Sequence, residues 1–177
     1  MMLHAIESSA LVLVDLQARL MPVIHEGTLI VSQAARLGKI AQMLGVPVVG
    51  TEQTPRHLGE NDETIKALCS RIIVKHHFDA AAEGLVDVLS CEVTRTIVAG
   101  CEAHVCVLQT AMGLMNHGLE VTLVSDAIGS RRPSDREAAI DRLARAGAEV
   151  ATVEMIAFEW LRSCQHPKFR DVLKLIK

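Results

Sequence analysis

"RTIVAGCEAHVCVLQTAMGLMNHG", residues 95–118, is the stretch whose reading decides the fold. It opens on a short β-branched run, Thr96-Ile97-Val98-Ala99, and passes Gly100. Apolar residues at helical spacing then run on to a stop at Gly118. The pattern predicts a strand over 95–100 and a helix over 104–118. The same alternation extends outward. Upstream, strands are predicted at 10–15, 46–51 and 71–75, with helices at 31–45 and 80–91. Downstream, a strand is predicted at 120–127 and a helix at 134–148, where Ser134 and Glu137 have capping-box spacing. A last strand at 149–154 precedes a helical tail. Strands that alternate with helices and are apolar on both faces imply a mostly parallel sheet covered on both sides. The expectation is a three-layer α/β/α Rossmann-like fold with six strands, forming one domain over 1–177.

Bulk properties fit that reading. Half of the 177 residues are apolar, and the net charge is only -3. Near-balanced charge argues against a general nucleic-acid binder. No apolar run approaches the ~20 residues of a membrane span. The start, "MMLHAIESSALVLVDLQ", lacks a basic segment and does not read as a signal peptide, so a cytoplasmic protein is expected. The five cysteines at 69, 91, 101, 106 and 164 have no framework spacing, and no disulfide set is expected.

In parallel sheets of this kind, ligands bind beyond the carboxyl ends of the strands. Asp15 ends the first predicted strand, Thr51-Glu52-Gln53 the second and Lys75 the third. The Cys101–Cys106 stretch ends the fourth and Asp126 the fifth. Taken singly, each has a plain explanation. Asp15 reads equally as a helix cap, Lys75 as the point where the chain reaches water, and Cys106 as a small core residue. Together they have a chemical logic. A helix start and a lysine both favour a thiolate. A carboxylate can move a proton to a leaving amine and back from water. Gln17, Gln53 and Phe78 lie just past strand ends and either line the pocket or support it from behind. The run "SRRPSDR" (130–136) is a solvated helix start or holds an arginine that reads a substrate carboxylate.

The stretches "LVLVDLQARL" (11–20), "VPVVGTEQTPRHLG" (46–59), "VKHHFDA" (74–80), "VAGCEAHVCVLQTAMGLMNHGLEVTLVSDAIGSR" (98–131) and "HPKFRDVLKLIK" (166–177) carry a resemblance. The chain resembles the isochorismatase-like cysteine hydrolase superfamily, and most closely the isochorismatase domain-containing proteins. The resemblance implies a catalytic triad with Cys106 as nucleophile, Asp15 as acid/base and Lys75 as the activator of the thiolate. It implies a non-proline cis peptide at Cys101–Glu102 that turns the Glu102 and Cys106 amides inward as an oxyanion hole. It also raises the expectation of a homo-oligomer, dimer or higher. Phe158, Trp160 and Leu161 look exposed and add a weak physical hint of the same kind.

Departures narrow the chemistry. The nicotinamidase branch carries an Asp-x-His metal motif after the second strand, and "TEQTPRHLG" has none. His57 reads as a solvent-facing loop residue, and the adjacent His76 and His77 diverge. His104 is not expected to bind metal. No metal and no cofactor are therefore expected. Isochorismate-cleaving relatives lack the cysteine, so its presence favours acyl chemistry on a small amide-like substrate. The competing reading is a catalytically weak member used as a protein-interaction module. A nuclease has little support without a basic groove or a metal cluster.

Overall fold

The computed structural model describes residues 3–177. The main elements are β1 (Ser9–Val14), α1 (Gly27–Leu44), β2 (Val48–Gln53), α2 (Pro55–Leu58), α3 (Glu63–Lys66), β3 (Arg71–Lys75), β4 (Arg95–Cys101), α4 (Leu108–Asn116), β5 (Glu120–Gly129), α5 (Pro133–Arg145), β6 (Glu149–Ala151), α6 (Val153–Leu161) and α7 (Phe169–Ile176). The strands form one six-stranded sheet in the order β3-β2-β1-β4-β5-β6. Every pairing is parallel. The chain thus forms the expected α/β fold. Its strand order reverses between β1 and β4, and that reversal is where such sheets open a ligand crevice.

Alternation of side chains along each strand builds two cores. Leu11 and Leu13 of β1 face α1, α3, α6 and α7, together with Ile40, Ile65, Ile156, Trp160 and Val172. Val12 and Val14 face the other way, onto the 81–89 segment, α4 and α5. All six residues of β1 are buried, which is why its sequence reads as an unbroken apolar run. In α1 the buried Ile30, Ala34, Leu37, Gly38 and Ala41 recur at helical spacing. Gly45, with φ +81°, ends the helix in the left-handed conformation and returns its N–H to Ala41 and Gln42.

Five expectations need correction. Residues 80–91 are not one helix but two short 3-10 turns, Ala81–Glu83 and Val86–Val88. Gly84 interrupts them with φ +94°. The helix near 134 starts one residue earlier, at Pro133, behind an extended Arg132, and no side chain caps it. A proline pre-set for the first helical position thus replaces the capping box. β5 does not end near Asp126 but continues to Gly129 through a bulge. There Val98 pairs with Leu123 while Gly100 pairs with Ile128. β6 stops at Ala151, because the Thr152 hydroxyl accepts from the Met155 N–H and starts α6. Finally, Trp160 and Leu161 are 1% and 2% exposed, so only Phe158 of that trio reaches the surface. The amphipathic tail covers them, and the hint of an exposed patch there fails.

Gly100 fixes how closely β4 lies against β1 just before the site. Its φ is +121°, and an added Cβ would sit 2.0 Å from the Val14 carbonyl oxygen. Neither the backbone nor the space admits a side chain. Gly100→Ala is expected to cost about 3 kcal/mol or more, lowering the melting midpoint by roughly 10 °C or preventing folding. Thermal circular dichroism reads this directly, and a midpoint equal to the native one would contradict it.

Candidate active site

The parallel register carries several polar residues to one edge of the sheet. Val14 pairs with both Thr51 and Gly100, and Gln53 pairs with Lys75. Asp15 leaves β1 with φ +48°, in the left-handed region, so its side chain turns over the crevice. Lys75, the last residue of the edge strand β3, is the only fully buried position of an otherwise largely exposed strand. Cys106 lies in a π-helical turn, Ala103–Val107, that leads into α4. The peptide between Cys101 and Glu102 is cis, as the resemblance implies.

Lys75 Nζ donates to Asp15 Oδ2 at 2.7 Å and to Gln53 Oε1 at 2.7 Å. Both Lys75 and Asp15 are 0% exposed. A buried ion pair needs further hydrogen bonds to offset its desolvation. Here Thr51 supplies one to Asp15 Oδ1 at 2.6 Å. The Cys106 thiol lies 4.0 Å from Gln53 Oε1, and Asp15 and Lys75 both act on it through charge and hydrogen bonding. The three residues read from strand ends therefore do meet.

The thiol is not the low-pKa group expected. Burial, followed by the charge of Asp15, pushes it up to about 12, against a smaller downward pull from Lys75. The main physical reason is burial, and the Lys75 ammonium offsets little of it because Asp15 already engages it. The arrangement can therefore hold a neutral thiol next to a carboxylate able to take its proton.

The remaining sequence candidates divide. Gln17 is buried, and its amide is held by backbone. Its Oε1 accepts from the Gln53 N–H at 2.8 Å, and its Nε2 donates to the carbonyls of Gln53 (3.1 Å) and Gly59 (2.5 Å). Gln53 in turn donates to the His76 carbonyl at 2.7 Å while its oxygen holds Lys75. Phe78 is 48% exposed, at the rim. Asp126 is turned away from the site and accepts from the Val153 N–H at 2.9 Å, at the start of α6. Arg136 is committed to the carbonyls of Ile128 and Ser125. Arg131 pairs with Glu102 at 2.9 Å. His104 meets the Ser130 hydroxyl at 3.0 Å. His57, His76 and His77 are exposed, and the backbone N–H groups of the last two bond to Glu83. Among the described residues no group of three His, Cys, Asp or Glu side chains has metal-binding spacing. No described helix is long and apolar enough to cross a membrane.

Thr51 is the contributor that sequence reasoning left without a role. The signal was a hydroxyl at the end of β2, but its meaning depends on the β1–β2 register. A cavity of about 660 Å³ lies elsewhere, beside Leu3, His4, Glu149, Met155 and Glu159. It shares no lining residue with the Asp15, Lys75 and Cys106 cluster.

Comparison with known proteins gives consistent findings. The isochorismatase domain profile matches residues 9–155. Isochorismatase domain-containing protein 2A of Mus musculus is 38% identical over 97% of this chain and 84% of its own length. The solved structure of the MAR1 ribonuclease from Caenorhabditis elegans is 35% identical. It covers 99% of this chain and 92% of its own, with a TM-score of 0.94. The YcaC gene product of Escherichia coli, described as an octameric hydrolase of unknown specificity, shares the fold. Its TM-score is 0.88 at 24% identity, covering 98% of this chain and 96% of its own.

Proposed function

Since the chain belongs to the isochorismatase family, we propose that it is a cysteine hydrolase that cleaves a C–N bond in a small amide-like substrate. The observation that carries this reading is the fully buried Asp15–Lys75 pair set against the Cys106 thiol. As the thiol is neutral at rest, Asp15 takes its proton while the sulfur attacks the substrate carbonyl. The backbone N–H groups of Glu102 and Cys106 hold the oxyanion. Asp15 passes the proton to the nitrogen, and ammonia or an amine leaves a thioester on Cys106. Asp15 then takes a proton from water, which attacks the thioester. The carboxylic acid departs, and the sulfur recovers its proton. Lys75 keeps the carboxylate oriented and offsets negative charge at the sulfur. No resident metal or cofactor takes part. Phe78 covers the substrate from the rim, Gln53 bounds it beside the sulfur, and Gln17 holds Gln53 in place.

The test is a small-amide library assayed by ammonia release, with intact mass used to detect an acyl group on Cys106. Turnover with a trapped acyl-Cys106 is expected. Two other readings have one observation each. The raised thiol favours a catalytically weak interaction module, which the screen would reveal as inert. The ribonuclease name of the C. elegans neighbour favours RNA cleavage, so RNA is included in the screen. RNA cleavage with no amide turnover would replace the proposal.

Two further outcomes are expected. Chelation with EDTA leaves hydrolysis intact, because the Asp-x-His motif is missing from the 51–59 loop; loss on chelation with recovery on adding zinc would contradict this. The protein is expected to be a homo-oligomer. Apolar side chains at Ile72, Val74 and Phe78 are exposed along the edge strand and its exit, and the E. coli neighbour is an octamer. Light scattering that gives a monomer mass at micromolar concentration would refute it.

A further inference from the structure

We infer that Thr51 is a positioning residue for Asp15, fixing the direction of the carboxylate that works on Cys106. The inference rests on the reading of Asp15 as acid/base and adds a residue to it. Thr51 grips Asp15 at two points. Its carbonyl accepts the Asp15 N–H at 3.2 Å, and its hydroxyl donates to Oδ1 at 2.6 Å. The same carbonyl accepts from Asn61 Nδ2 at 3.0 Å, which fixes the end of β2. Thr51 is fully buried, so water does not compete for its hydroxyl.

The grip answers a specific need. Asp15 is a non-glycine residue at φ +48°, a conformation that persists only where surrounding contacts impose it. Lys75 occupies Oδ2. With Thr51 on Oδ1, both oxygens are held, and the carboxyl plane cannot swing away from the sulfur. The hydroxyl thus fixes how the carboxylate is presented to the Cys106 thiol.

Carbon-13 NMR of protein labelled at aspartate side-chain carboxyls tests this without a known substrate. The Asp15 signal is assigned by its loss in Asp15→Asn. Thr51→Val keeps the shape and removes the hydroxyl. At a fixed neutral pH its Asp15 carboxyl resonance is expected to move from the native position and broaden, because one oxygen is no longer held. Thr51→Ser, which keeps the donor, is expected to restore the native resonance. Should Thr51→Val fail to fold, Thr51→Ala is read in the same way. A resonance unchanged by loss of the hydroxyl overturns the inference. Failure of the underlying reading is separate: Asp15→Asn with full hydrolysis would remove the acid/base role while leaving the resonance result intact.

Discussion

Cys106→Ala is expected to abolish amide hydrolysis, by at least about three orders of magnitude, while Cys101→Ala and Cys69→Ala keep a measurable fraction. The difference is positional. Cys106 lies on the side of the sheet that faces Val14 and Ala111, beside Asp15 and Lys75. Cys101 points into the opposite core, with Leu13 and Ile24, and burial drives its thiol further up still. Cys69 packs against Gly50 under α3, and its thiol is raised to about 11, first by burial and then by Glu52. The carboxylates near them, Asp15 for Cys101 and Glu52 for Cys69, act only through charge, and neither thiol is hydrogen-bonded to the Asp15–Lys75 pair as Cys106 is. Ammonia release measured on the three variants decides the point. Undiminished activity in Cys106→Ala would end the covalent mechanism. Equal loss in all three would show that any core thiol is needed merely for packing.

The sheet was legible because β1 and β4 are buried on both faces, and such strands read as continuous apolar runs. The site was legible for a related reason. Parallel register carries whatever ends each strand to one edge, so Asp15, Lys75 and the 101–106 turn had to be neighbours. What depends on pairwise geometry was not legible. The β5 bulge is a register event between Val98 and Gly100, and nothing in the spacing of "EVTLVSDAIG" signals it. The apolar spacing of residues 80–91 suits a helix, and only the positive φ at Gly84 divides it. Trp160 looked exposed because helical spacing in the tail does not say which neighbour covers it. The thiol is the most instructive case. The sequence supplied a lysine to lower its pKa, but neither the burial that raises it nor the fact that Asp15 already holds that lysine at 2.7 Å.

That competition makes the second large effect a pair of opposite shifts. In Lys75→Met the one downward pull on the Cys106 thiol disappears. Two unit charges about 4 Å apart interact by ~1 kcal/mol in water and ~4 kcal/mol at an effective dielectric of 20. One pKa unit is about 1.4 kcal/mol, so the thiol is expected to move up by roughly one to three units. At any fixed pH below its titration, Cys106 alkylation by iodoacetamide then slows by about 10- to 1,000-fold. Asp15→Asn removes the opposing charge and frees the ammonium, so alkylation is expected to quicken even as hydrolysis is lost. Mass spectrometry of the Cys106 peptide across a pH series separates it from the exposed Cys91 and Cys164. Opposite signs exclude general loosening of the site, which would speed alkylation in both variants. Lys75→Met also strands a buried carboxylate, at about 3–5 kcal/mol of stability. The double variant Asp15→Asn, Lys75→Met removes that penalty and is expected to place the thiol between the two single variants. Lys75→Arg keeps the charge but not the compact ammonium, so it should preserve the thiol titration better than turnover. If the Lys75→Met profile coincides with the native one, the lysine has no hold on the sulfur. If Asp15→Asn slows alkylation, the carboxylate helps form the thiolate at rest, and the neutral-thiol starting state is wrong.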